Sequence, residues 1–185
     1  MKKDHVGLQR RPFLTPVWLA AMAAVVVLGF ATWLWSSADS TTVILVRHAE
    51  QEPGSITDPP LSAAGEERAQ RLASLFGDPA TTGRVDAIFV TPTVRSRMTA
   101  APLAARLNLT PTVATDAEPR ALVRRLLHEH AGGRVLVIGH ADTLPEIVHL
   151  LSGESVPPMG HQDYGTVYVV MVPRMGRANV LRLTY

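Results

Sequence analysis

The sequence predicts an α/β domain: a three-layer α/β/α sandwich around a largely parallel central sheet, with one long apolar helix ahead of it. Two observations predict the sandwich. Val43–Val46, Ala87–Val90 and Val135–Ile138 are short, continuous apolar runs rich in β-branched residues, the pattern of strands covered on both faces. Amphipathic segments of helical period separate them, giving the alternation that winds a parallel sheet. A third observation predicts the leading helix, because Val17–Trp35 runs for 19 residues without a charge.

That uncharged run approaches the roughly 20 residues a helix needs to cross about 30 Å of hydrocarbon. Trp18 lies near one end of it and Trp33 and Trp35 at the other, where indoles favour the membrane interface. Lys2, Lys3, Arg10 and Arg11 precede it with only Asp4 opposing them, so residues 1–16 form a basic tail of net charge +3. The expectation is a single-pass transmembrane helix over 17–35 in a bacterial inner membrane. The tail then stays in the cytoplasm and the rest of the chain faces the periplasm or cell exterior. The alternative is a cleaved signal sequence ending at Ser36-Ser37-Ala38, but the run exceeds the usual signal core of about 7–15 residues. The chain has no cysteine, which is compatible with either compartment.

Residues 36–42 read as a short polar linker, and 43–185 as the domain. Ser62–Phe76 places Ala69, Leu72, Ala73 and Phe76 on one helical stripe, with Glu66 and Glu67 near its start. Val94–Leu107 is a second helix, expected to bend at Pro102. Pro119–His130 is a third and Thr143–Leu151 a fourth, opened by Thr143 and Glu146 as a capping box. Thr112–Thr115, Thr166–Val172 and Asn179–Leu183 supply lesser strands.

The pI near 9.4 belongs to the tail, since from Asp39 onward 14 arginines face 15 acidic residues. No basic, aromatic-interleaved face remains to bind nucleic acid. In an open α/β sheet, ligands bind beyond the carboxyl ends of the strands. There the sequence puts Arg47 and His48 after one strand, Arg95 after a second and His140 after a third. Cations gathered without carboxylate partners are costly to bury unless an anion joins them, and the planar guanidinium fork suits phosphoryl oxygens.

The segments "LVRHAE", "LSAAGEERAQRL", "TPTVRSRMTAAPLA" and "VLVIGHADTLPEIV", in that order, resemble the histidine phosphatase superfamily, the phosphoglycerate mutase-like fold. The resemblance covers Val43 to about Ser152. It implies that His48 is the nucleophile that becomes phosphohistidine, and that Arg47, Arg95 and His140 hold the phosphoryl oxygens, with no metal or other cofactor. The mutase-like branch carries its general acid between the second arginine and the second histidine. Asp116 is favoured there, with Glu118 beside it. The acid phosphatase branch places an aspartate directly after the second histidine, and Asp142 lies one residue beyond that position, where it reads as a helix cap. Glu50, beside the nucleophile, is a further candidate.

His128 and His130 lie two apart on a helix and face different directions, so they do not read as metal ligands. Arg97 is expected in solvent, while His161, Asp163 and Tyr164 lie on a loop able to border the site. Only 44 residues separate Arg95 from His140, too few for a mutase-type lid, so hydrolysis is expected over phosphotransfer. The expected partner is a phosphorylated small molecule or an envelope sugar phosphate. A protein phosphohistidine, or a non-catalytic role in binding a phosphorylated ligand, are the alternatives.

Overall fold

A computed structural model of the chain describes residues 17–37, 40–54, 57–115 and 118–185, without the side chains of 34–37 and 81. The basic tail over 1–16 lies outside the described residues. The chain divides into two units at Ser37.

The first unit contains helix α1, Val17–Ser37, whose described side chains are exposed. Among the described residues no helix is long and apolar enough to cross a membrane. The crossing expected of 17–35 is therefore not shown.

The second unit is built on six strands: β1 (Ser40–Arg47), β2 (Ala87–Val90), β3 (Thr112–Val113), β4 (Arg134–Gly139), β5 (Thr166–Pro173) and β6 (Asn179–Thr184). They form one sheet in the order β3-β2-β4-β1-β5-β6. The helices are α2 (Ala63–Phe76), α3 (Pro79–Thr82), α4 (Val94–Leu107), α5 (Pro119–Glu129) and α6 (Leu144–Ser152). Side chains alternate across the sheet as the strand period requires. Val43, Leu45, Val135 and Val137 pack in a core with residues of α5 and α6, while Ile44, Val46, Leu136 and Ile138 join α2 and α4 on the other face. Both faces are thus covered, which is why these strands read as unbroken apolar runs.

The sheet is mixed, parallel in the part expected and antiparallel at one edge. β1, β4, β2 and β3 pair in parallel, but β5 runs antiparallel to β1, and β6 antiparallel to β5. Strand β1 also begins inside the segment expected to be a linker. Ser40, Thr41 and Thr42 pair with Pro173, Val172 and Met171 of β5, so a partner strand extends β1 where apolar character does not. At the other end of the expected linker, α1 continues to Ser37.

Local signals account for the helix ends. Ser62 Oγ accepts from Gly65 N at 3.2 Å and caps α2. Helix α3 was not expected; Asp78 caps it by accepting from Ala80 N at 2.9 Å, with Pro79 at its first position. Helix α4 spans Pro102 in one element and ends at Asn108, in the left-handed region with φ 53°. The capping box expected at α6 is absent: Thr143 makes no side-chain cap, and its hydroxyl instead donates to His140 O at 3.3 Å.

Candidate active site

The nucleophile candidate is fixed by the sheet itself. Arg47 closes β1, and one step past it His48 N still donates to the O of Gly139, the last residue of β4, at 3.0 Å. The next amide, Ala49 N, donates to Thr99 Oγ1 at 3.0 Å, and that hydroxyl donates to Arg95 O at 2.8 Å. Thr99 thereby ties the turn bearing His48 to the first turn of α4, which carries Arg95.

His48 is 4% exposed, and its Nδ1 lies 2.8 Å from Ala49 O. A carbonyl oxygen only accepts, so Nδ1 carries the proton and Nε2 keeps its lone pair. Burial pushes the imidazole down to a pKa of about 4; the Ala49 carbonyl opposes this, and the charges of His140, Arg95 and Arg47 add to it. At neutral pH the ring is an uncharged base.

His140 follows β4 with its ring centroid 5.1 Å from that of His48, at 68°. Its Nε2 is 3.2 Å from Thr91 Oγ1, which reaches Ser96 Oγ at 2.6 Å, and Thr93 Oγ1 reaches the same oxygen at 3.0 Å. A chain of hydroxyls from the end of β2 and the start of α4 therefore sets the ring of a histidine on a third element.

Arg47 is 7% exposed and held by neutral groups. Its Nη1 donates to Gly160 O at 2.8 Å and His161 O at 3.1 Å, and its guanidinium lies 4.1 Å above the centroid of the Tyr164 ring. The Tyr164 ring is also 6.1 Å from that of His48. The loop between α6 and β5 thus walls the site with one aromatic ring and two carbonyls. Arg95 Nη1 lies 3.4 Å from Asp58 Oδ1. The Nε atoms of both arginines are buried and make no hydrogen bond to the described residues.

The four core candidates, Arg47, His48, Arg95 and His140, come together at the carboxyl ends of β1, β2 and β4. The acid candidates divide. Asp116 lies outside the described residues. Glu118 and Asp142 are exposed; Glu118 precedes α5, and Asp142 sits in the turn before α6, where Thr143 rather than Asp142 takes the cap position. Glu50 is turned to Arg68, whose Nε donates to both of its carboxylate oxygens at 2.9 and 2.8 Å. Burial raises the Glu50 pKa, but the Arg68 hydrogen bonds and charge outweigh it and leave the net shift downward. Glu50 is thus a bound carboxylate rather than a proton donor.

Arg97 is exposed, as expected. Tyr164 and the His161 carbonyl do border the site, whereas Asp163 accepts from Thr166 Oγ1 and pairs with Arg182. Asp58, Thr91, Ser96 and Thr99 escaped the sequence reading. The last two are fully buried polar residues on the apolar stripe of α4, a visible but unspecific signal. Beside the site, Val90, Leu122, Val137 and Ile147 line a cavity of about 10 Å³, room for about one water.

Two imidazoles and two guanidiniums at the strand ends of an α/β sheet define the phosphatase and phosphotransferase class of site. Residues 43–118 match the model of the histidine phosphatase superfamily (branch 1). Among solved structures, the protein histidine phosphatase SixA complexed with tungstate is similar at a TM-score of 0.62 and 20% identity, over 77% of this chain and 96% of that one. A mycobacterial glucosyl-3-phosphoglycerate phosphatase is similar at a TM-score of 0.63 and 15% identity, over 76% and 97%. The same mycobacterial enzyme with VO3 gives 0.62 and 14%, over 77% and 98%. At these identities the likeness is one of fold. No curated protein sequence matches the chain significantly.

Proposed function

We propose that the chain is a phosphomonoesterase that hydrolyses a phosphate ester through a phosphohistidine at His48. The observation that carries this reading is the state of that imidazole: buried, uncharged, its Nδ1 proton engaged by Ala49 O and its Nε2 lone pair available. In the first step Nε2 attacks phosphorus and the bond to the leaving oxygen breaks. Arg47, Arg95 and His140 neutralise the equatorial oxygens, and the buried Nε groups of the two arginines are suited to donate to them. The leaving oxygen takes a proton from the general acid, for which Asp116 remains the proposed residue. In the second step water attacks phosphorus, the P–N bond breaks with its electron pair returning to Nε2, and the water proton passes to the carboxylate. Between Arg95 and His140 the chain holds little beyond the rest of α4, β3, α5 and β4, which favours hydrolysis over a shielded transfer.

A second reading, a phosphohistidine protein phosphatase, is favoured by the Arg68 grip on Glu50 and by the likeness to SixA. An imidazole leaves phosphorus with less need of a proton donor than an alkoxide does. The non-catalytic reading gives no role to a histidine in this state.

We also propose that residues 17–35 anchor the chain in a bacterial inner membrane, with the domain exported. The uncharged run, the terminal tryptophans and the four preceding cations support it.

The test is phosphate release by the purified full chain from sugar phosphates, aryl phosphates and phosphohistidine peptides. His48→Ala is expected to abolish release and the acid-labile phosphoenzyme, and full activity in that variant would reject the reading. On intact cells an impermeant substrate should be cleaved; activity seen only after the inner membrane is broken would reverse the orientation.

A further inference from the structure

The loop between β1 and α2 brings a carboxylate to one arm of the arginine pair. Gln51 and Leu61 form an isolated antiparallel bridge, and Glu52 N donates to Pro60 O at 3.0 Å, so the ends of the loop are pinned together. From within it Asp58 reaches the start of α4. Val94 N donates to Asp58 Oδ1 and Oδ2 at 3.1 and 2.9 Å, and Oδ1 lies 3.4 Å from Arg95 Nη1. Thr93, at the cap position, makes no side-chain cap, so the acceptor for the first amide of α4 comes from this distant loop.

The two contacts differ in strength. The amide contacts are short, whereas the contact to Arg95 is long and involves a carboxylate that is 40% exposed against 18% for the arginine. Such a pair orients a guanidinium without committing it.

We infer that Asp58 is a positioning residue that holds Arg95 while the site is empty and competes with phosphate for it when the site is full. The inference rests on the reading of Arg95 as a phosphate clamp. Two arginines and two histidines around a phosphate dianion would bind the product tightly and release it slowly. A carboxylate beside one of those arginines repels the dianion and takes back part of the guanidinium as phosphate departs. The arrangement trades affinity for turnover.

The experiment is equilibrium binding of inorganic phosphate and of vanadate by calorimetry, using the full chain in detergent. Wild type, Asp58→Asn and Asp58→Ala are compared. The Asn variant keeps an acceptor for Val94 N and loses the charge. It is expected to bind both anions roughly three- to tenfold more tightly, from one like charge removed beside a dianion in a solvated, salt-screened site. Product inhibition by phosphate should deepen by the same factor. The Ala variant is expected to share the tighter binding but to melt at lower temperature, having lost the acceptor for α4. Unchanged or weaker binding by Asp58→Asn overturns the inference and leaves Asp58 a plain cap. Failure of the wild type to bind either anion is a different result, which removes the phosphate clamp and the competition with it.

Discussion

Lowering the pH tests the site at its nucleophile. An imidazole of ordinary pKa near 6.5 is about nine-tenths protonated at pH 5.5, whereas one at about 4 is protonated to only about 3%. With an aryl phosphate whose leaving group needs no proton, kcat/KM corrected for ionisation of the substrate is therefore expected to stay nearly flat from pH 8 to about 5 and to fall by half near pH 4. Stability carries the same signature. As pH falls through 6.5 the unfolded chain takes up a proton at His48 that the folded chain refuses. Stability is thus full above the unfolded pKa and declines between about 6.5 and 4, by an amount that is roughly 3 kcal/mol for a displacement of this size. Denaturant unfolding of wild type and His48→Gln across pH 4 to 8 isolates this contribution, because the other histidines cancel in the difference. An acid limb of kcat/KM near 6.5, or parallel stability profiles for the two proteins, would refute the buried neutral nucleophile.

Two further outcomes are expected. Glu50→Gln should lower stability by roughly 1–3 kcal/mol, because it leaves Arg68, 18% exposed, without its carboxylate; leaving-group dependence should not change, and thermal melting with paired alkyl and aryl phosphates checks both. Chelation should leave turnover unchanged while vanadate inhibits, since the guanidiniums of Arg47 and Arg95 supply the charge that a metal supplies elsewhere; loss of activity on dialysis against chelator would contradict this.

The residues that read clearly in the sequence were those whose position follows from strand ends. Arg47, His48, Arg95 and His140 each come just after an apolar run, and burial on both faces of the sheet makes those runs conspicuous. Strand direction was not legible in the same way, because the alternation in Thr166–Pro173 is identical for a parallel and an antiparallel strand. Its direction follows from the 153–165 loop, which returns the chain to the end of the sheet that carries Arg47. That loop grips Arg47 mainly through the Gly160 and His161 carbonyls, and a main-chain acceptor leaves no trace in residue type. Glu50 looked available because its partner Arg68 lies on another element, and only the approach of α2 to the turn unites them. A Cβ at Gly65 would lie 2.1 Å from Glu50 O, so that approach depends on glycine.

The central position of β1 has a consequence for how the protein is made. Val43 pairs with Val135 on one side and Val170 on the other. At the ~5–20 residues per second of synthesis, roughly ten seconds separate the strand from its second neighbour. Until β4 is made both hydrogen-bonding edges of this apolar β-branched segment are open, and the edge that β5 covers stays open longer, which favours mispairing between nascent chains and makes a holding factor valuable. Arg47 is the first residue of the reacting cluster to be synthesised, and its acceptors, the carbonyls of Gly160 and His161, are among the last groups of the site to be made.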